Sequence, residues 1–312
     1  MTWKYLNPGD YRLFTTMRGI NYTDEFGYIA PVTHKAFGDT SYERRIKPPV
    51  ALSELWFTFT AFCSWNNVSM HFLKNGISTI YITVASNYIE ASDSRSSSKL
   101  YSKTFYNAPR LWRVWGHIRT GTDDPFIEVY FNNELLLSQS ITTSSKNYSI
   151  EELYWRINSG CTLSDIIVSD APIDLNEHCA FLPIKQTSIN GWQFNTVTNK
   201  YTTDSTGKTI WQTVDKAELA SVLGEGNPTI TAVVPQAYDV STDTTLVING
   251  FGTQLRQGST VVEHSEDSIN SALFTASAIT VNPFTNAPWT LDDFDNVDFG
   301  ITTAKIADNA DD

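Results

Sequence analysis

The run Leu111-Trp-Arg-Val-Trp-Gly-His-Ile-Arg119, continued through Thr120-Gly-Thr-Asp-Asp-Pro125 into Phe126-Ile-Glu-Val-Tyr-Phe131, decides how this chain is read. Both flanking pieces alternate with period two, the side-chain period of a strand whose two faces meet different surroundings. On the first piece Trp115, His117 and Arg119 share one parity, and on the second Glu128 and Tyr130 do. The Gly, Asp and Pro between them mark a turn, so the two pieces form a hairpin with a medium loop. Asn132-Asn133 then reads as a tight turn into Leu135-Leu-Leu-Ser-Gln-Ser-Ile141, because Asn tolerates the positive φ that a type I′ turn requires.

Working outward, Leu55-Trp-Phe-Thr-Phe-Thr-Ala-Phe-Cys63 is a strand buried on both sides, with Trp56, Thr58 and Thr60 on one parity. Further strands are expected at Ser78–Val84, Leu153–Ile157 and Leu163–Ser169, the last two separated by Ser159-Gly160. Residues 1–45 mix aromatics with turn residues and read as entry strands and loops. The polar stretch 91–99 is short of apolar anchors and is placed in an exposed, mobile loop. Asp170-Ala-Pro-Ile-Asp174 looks like a domain exit, since Pro172 cannot donate to a ladder. Beyond it, strands are expected at Gly191–Phe194, Thr229–Val234, Thr244–Asn249, Thr260–Glu263 and Ala278–Val281. Short helices fit Asp215–Leu223, with Asp215 as N-cap and Gly224 after the last turn, and Thr290–Val297, with Thr290 as cap.

A length of 312 residues exceeds what one hydrophobic core usually serves, so the expected division is 1–172, a linker at 173–187, a second β-sandwich-like domain at 188–305 and a polar tail at 306–312. The composition is that of a globular protein rich in strand and turn formers, with 13% aromatic residues. No stretch approaches the ~20 apolar residues of a bilayer span, and the start of the chain has no apolar leader core, so synthesis in the cytosol of the producer is expected. Cys63, Cys161 and Cys179 are odd in number and widely spaced, which favours buried free thiols over disulfides or zinc. Residues 1–170 carry 16 basic and 16 acidic side chains, whereas 171–312 carry 6 and 18, so the net charge of −12 belongs to the second part. An acidic surface repels phosphate backbones, which argues against nucleic acid as its partner.

The hairpin from Trp112 to Leu136, followed by Tyr154-Trp-Arg-Ile157 and Leu163-Ser-Asp-Ile-Ile-Val-Ser-Asp170, resembles the concanavalin-like or laminin-G-like jelly-roll superfamily. Asn133-Glu134 stands where that superfamily usually carries Asp-Gly or Asn-Gly. The segment Leu163–Ile173 with its proline-containing exit, Gly191-Trp192 and Pro288-Trp-Thr-Leu-Asp-Asp-Phe-Asp-Asn-Val-Asp-Phe-Gly300 together resemble virion proteins of tailed bacteriophages. The fold class expected is therefore all-β, a concanavalin-like β-sandwich followed by a smaller β-rich domain. What the resemblance implies is a structural part of a phage tail, neck or fibre, located in the virion and assembling with other virion proteins or as a homo-oligomer.

Chemistry has little foothold in the sequence. There is no Gly-x-Ser-x-Gly elbow, and His34, His71, His117, His178 and His264 have no local Ser or Cys signature beside them. His117 reads as a satisfied sheet residue. No catalytic, metal or cofactor residue is assigned, and no enzyme activity is expected. Glu128, beside Tyr130 on one strand face, is the carboxylate on which a jelly-roll glycosidase would rest, but the paired acidic run such an enzyme needs is missing. The run Asp292-Asp-Phe-Asp-Asn-Val-Asp298 offers oxygens for Ca²⁺ yet lacks the loop Gly and terminal Glu, and is read as a capped helical turn with an acidic face. The alternative function is a carbohydrate-binding host-attachment module, in which aromatic rings stack on sugars and residues 91–99 or 120–125 rim the site.

Overall fold

The computed structural model describes residues 4–7, 20–23, 29–32, 34–35 and 42–48, and 50–304 apart from 64, 94–97, 106–110, 122–123, 142–147, 159, 178, 180–181, 183, 198–199, 224–228, 239–247, 249, 269–272 and 276–277. The chain separates into two compact units, 1–180 and 181–312. The strand expected at Thr244–Asn249, apart from Ile248, and the tail at 306–312 lie outside the described residues.

The first unit contains β1 (Lys4–Asn7), β2 (Ile20–Thr23), β3 (Ile29–Val32), β4 (His34–Lys35), β5 (Tyr42–Ile46), β6 (Glu54–Cys63), β7 (Asn67–Lys74) and β8 (Ile77–Ala85). It continues with β9 (Tyr88–Asp93), β10 (Ser98–Thr104), β11 (Leu111–Arg119), β12 (Phe126–Phe131), β13 (Glu134–Ser140), β14 (Glu152–Ile157) and β15 (Cys161–Ser169). One sheet runs β1-β15-β6-β11-β12-β13, with β4 also on β15; the other runs β10-β9-β8-β7-β14-β5. All pairings are antiparallel.

Alternation builds the core between these sheets. Leu55, Phe57, Phe59, Ala61 and Cys63 of β6 point inward, as do Val114 and Ile118 of β11 and Ile127, Val129 and Phe131 of β12. From the opposite sheet come Val68, Met70 and Phe72, then Ile80, Ile82 and Val84, then Leu153, Trp155 and Ile157, and all of these join one cluster. Two layers sharing a single apolar interior are a β-sandwich. Gly116 is required here for space. It lies opposite Phe57 in the ladder, and a Cβ at that position would fall inside the Phe57 ring. Asn132 and Asn133 have φ of 45° and 65°, the type I′ geometry expected for that turn.

The stretch 91–99 is a correction. Ala91, Ser92 and Asp93 are buried in β9, residues from Ser98 onward belong to β10, and 94–97 lie outside the described residues. The polar composition hid a strand whose Ile89, Ala91 and Asp93 side faces inward. Ile173 and Cys179, within the stretch expected as the start of a linker, are buried against Ile167 of the first unit. The three cysteines are free and buried.

The second unit contains β16 (Ile184–Ile189), β17 (Gln193–Asn195), β18 (Lys200–Thr202), β19 (Thr209–Val214), α1 (Lys216–Leu223) and β20 (Gln236–Tyr238). It ends with β21 (Gly250–Gln257), β22 (Thr260–Ser268), β23 (Leu273–Thr275) and β24 (Asp298–Ala304), preceded by a 3-10 turn at Leu291–Asp295. Its main sheet is β16-β19-β24-β21-β22. Leu219 of α1 and Phe294 of the 3-10 turn pack with Val214, Leu255, Trp289 and Phe299 into its core. The strands expected at Thr229–Val234 and Ala278–Val281 are a second correction. They make only isolated bridges, Ile230 to Trp289 and Val233 to Ile279, because β-propensity does not supply a partner long enough for a ladder. Asp215 does cap α1, its Oδ1 accepting the amides of Ala217 and Glu218 at 3.1 Å. No helix among the described residues is long and apolar enough to cross a membrane.

Candidate functional site

The three adjacent strands β6, β11 and β12 present their non-core residues on the outer face of the seven-stranded sheet. Register stacks these residues in rows. Trp56 pairs with His117, which pairs with Glu128; Thr58 pairs with Trp115, which pairs with Tyr130; Glu54 pairs with Arg119, which pairs with Phe126. His117, Glu128 and Tyr130, separated in the sequence by a turn, are thus neighbours on one surface. Trp56, Glu54 and Phe126 complete it; their shared parity was visible in the sequence, but the register that joins them was not.

The rings interlock. His117 stacks on Trp56 with centroids 4.2 Å apart and an interplanar angle of 12°, and it meets the edge of Phe126 at 4.7 Å. Trp115 and Tyr130 meet edge to face at 5.1 Å, and the Arg119 guanidinium lies 4.5 Å over Phe126. His117 Nε2 lies 2.9 Å from Glu54 Oε1. An ionised carboxylate only accepts, so Nε2 donates, and Nδ1 is left as an acceptor in neutral histidine and a donor in the charged form. Among the described residues Nδ1 has no hydrogen bond, and Glu128 is approached only by the Tyr130 hydroxyl, at 3.5 Å. Burial, and then the adjoining Glu128 carboxylate, push the Tyr130 phenol above its ordinary range.

One side of this face is roofed by residues 171–177 and Cys179. Trp115 Nε1 donates to the Ile173 carbonyl at 2.9 Å, and Trp56 and Trp115 pack against Ile173 and Cys179. Beneath the roof, Arg113 and Asp165 form an ion pair at 2.6 Å with side chains 4% and 0% exposed. Asp165, at φ 52°, lies in the irregularity that shifts β15 against β6 between Ser164 and Ile167. That bulge inserts an unpaired residue and re-aims its side chain, here onto Arg113. Arg113 also donates to the carbonyls of Leu175 and Glu177, and Asp165 Oδ1 accepts the Cys179 amide at 2.7 Å. A desolvated pair with each oxygen assigned fixes the roof, and with it the outer pair of tryptophans.

The opposite outer face carries a second strip, in which His71 stands between Tyr81 and Tyr154 at 5.3 and 5.1 Å. Here both ring nitrogens are engaged, with Ser78 Oγ at 3.0 Å and Ser69 Oγ at 2.9 Å, and Glu90 is held by Lys99 and Ser92. The strip satisfies itself, whereas the face around His117 retains open hydrogen-bonding capacity.

The remaining sequence candidates are dispersed. His34 is in β4, opposite Leu163; His264 is in β22; His178 lies outside the described residues. In the acidic run, Asp293 Oδ2 accepts the Thr290 amide at 2.7 Å and its hydroxyl at 2.9 Å. Asp292 and Asp295 take the Lys216 ammonium at 2.6 and 2.8 Å, and Asp298 takes Arg256 at 2.6 Å. Those two aspartates push Lys216 up to about 12. Each of these carboxylates has a protein partner, which is the chemistry of a capped turn. In the second unit, Ser188, Trp211, Thr213, Arg256 and Asp298 line a depression of about 250 Å³, in whose wall the Arg256 guanidinium lies 4.5 Å over the Trp211 ring.

No protein-family model and no curated protein matches the chain. Among solved structures, it is similar to a Bacillus subtilis protein of unknown function with a galectin-like fold, at 10% identity and a TM-score of 0.36, over 53% of this chain and 94% of that one. It is also similar to the exoplasmic/lumenal domain of VIP36 in its Ca²⁺/Man3GlcNAc-bound form, at 10% identity and a TM-score of 0.35, over 55% and 89%. A sialidase is matched at 14% identity and a TM-score of 0.35, over 53% of this chain but only 18% of the sialidase. At such values the likeness assigns neither ligand nor reaction.

Proposed function

We propose that the first unit is a non-enzymatic glycan-binding module whose site is the outer face of the seven-stranded sheet around His117. The observation that carries this is the register of β6, β11 and β12, which gathers Trp56, His117, Phe126 and Tyr130 beside Glu128 and Arg119 while leaving His117 Nδ1 and Glu128 Oε2 open among the described residues. A sugar ring offers one apolar C–H face and a rim of hydroxyls; rings and carboxylate side by side meet both demands. Cleavage is not proposed, because Glu54 is held by His117, which stands between it and Glu128 in the sheet, so the two carboxylates do not flank a shared bond.

A glycan array read with the parent protein and with Glu128→Gln and His117→Ala tests the reading. Binding that falls at least about tenfold in both variants supports it. Parent protein silent on the whole array, or variants that bind like the parent, removes it. Reducing-sugar release by the parent would replace binding with hydrolysis. Placement of this module in a virion rests on the sequence resemblance alone, as does homo-oligomeric assembly. Mass spectrometry of particles and sedimentation of the purified chain decide those two points.

A further inference from the structure

The geometry points to a second saccharide contact, at the end of the sandwich, built on Trp65. Trp65 lies in the turn between β6 and β7 and is 70% exposed, more than Phe194 at 46% or Tyr201 at 39%. Its ring is nevertheless seated. Gly160, in the turn between β14 and β15, has φ 78°, and a Cβ there would lie 2.5 to 2.8 Å from three atoms of the Trp65 indole. The absent side chain of Gly160 is therefore the space in which one side of the ring rests, while most of the indole surface faces solvent.

The two turns are locked together. Asn158 Nδ2 donates to Asn67 Oδ1 at 2.6 Å, the Asn158 amide donates to the Asn67 carbonyl at 3.1 Å, and Cys63 and Cys161 are directly opposite in the ladder below. A loop tryptophan with nothing to do is expected to fold down onto apolar surface; this one is held outward by a glycine and an amide clamp. Preorganisation of that kind lowers the ordering cost of a stacking partner.

The surroundings select the partner's chemistry. Asn66 and Asn67 follow Trp65 directly in the chain and Asn158 lies two residues before Gly160, and among the described residues the other large exposed apolar side chains of this unit, Val50, Ile77 and Leu135, lie on other loops and strands. The Asn67–Asn158 bond uses one end of each carboxamide and leaves the Asn67 amino group and the Asn158 carbonyl oxygen without a hydrogen bond among the described residues. A flat ring between two turns that each carry carboxamide donors and acceptors suits a pyranose, whereas a protein hot spot would surround its tryptophan with further apolar anchors. Trp56 lies seven positions before Cys63, where β6 ends, which is about 23 Å along the strand, so this contact is at the far end of β6 from the His117 face. It stands or falls separately from that site.

The test uses the full chain on immobilised oligosaccharides of glucose, galactose, mannose and N-acetylglucosamine. Trp65→Ala is expected to lose at least about tenfold in affinity for one of them, Trp65→Tyr to keep binding within a few fold, and Asn158→Ala to weaken it. His117→Ala reports on the other site and is expected to leave this contact intact. In parallel, N-bromosuccinimide oxidation at Trp65, read by peptide mass spectrometry, is expected to slow when the bound oligosaccharide is present. Trp65→Ala binding every sugar like the parent, a parent that binds none, or oxidation unchanged by saccharide overturns the proposal. A Trp65→Ala change that only converts a dimer to a monomer overturns it in favour of self-association.

Discussion

Replacing Arg113 with Ala is the sharpest perturbation of the outer face, because its consequences follow from four bonds. Arg113 is 4% exposed and Asp165 fully buried, and they meet at 2.6 Å. Truncation takes the ion-pair partner from the buried Asp165 carboxylate and the donor from the carbonyls of Leu175 and Glu177. Breaking a buried pair from one side costs about 3–5 kcal/mol, since the surviving charge stays desolvated without its counter-ion. The Asp165→Ala change removes the counter-ion of the buried Arg113 guanidinium and belongs in the same range. The double replacement strands neither charge, so its cost should fall below the sum of the two by several kcal/mol. Hydrogen exchange of the slowest amides in 111–119 and 161–169 reads the opening free energy of the first unit, and peptides from 173–179 read release of the roof. Single replacements costing less than about 1 kcal/mol, or costs that simply add, would show that the pair is solvated and does not hold the roof.

Gly116→Ala should destabilise the first unit by about 1–3 kcal/mol through overpacking against Phe57, and adding Phe57→Leu should recover part of the loss in the same exchange measurement. Asp215→Ala removes the acceptor for two amides at the start of α1 and should cost the second unit about 0.5–2 kcal/mol, read as faster exchange at 216–220. For Glu90, burial pushes its carboxyl up but the hydrogen bonds from Lys99 and Ser92 outweigh it, so the folded value lies below the ordinary one. Its stabilising contribution is therefore complete above the unfolded value and lost as pH falls through the folded one. Lys99→Met should raise the Glu90 carboxyl in an NMR titration and flatten that part of the stability profile; an unmoved titration refutes the pairing.

The ladders most exposed to view in the sequence were those with a clear period. The hairpin of β11 and β12, the Asn132-Asn133 turn and the strand at 54–63 follow from alternation and from which residues tolerate positive φ. The stretch 91–99 misled because Ser92 and Asp93 look like loop residues, although both are buried in β9. Thr229–Val234 and Ala278–Val281 misled in the opposite sense: both have strand composition, and neither finds more than a bridge. Of the candidate site, the residues His117, Glu128 and Tyr130 were in view, but as unrelated members of two strands.

Period and turn chemistry are local properties of the chain, so the sequence alone determined that the first unit is β, where its central hairpin turns, and which side of each strand is apolar. Register, the neighbour across the sheet and the seat of a ring on a glycine are relations between residues tens of positions apart, set by how two sheets close on a common interior. Only the tertiary structure, therefore, could put Glu54 beside His117, Asp165 under Arg113 and Trp65 over Gly160.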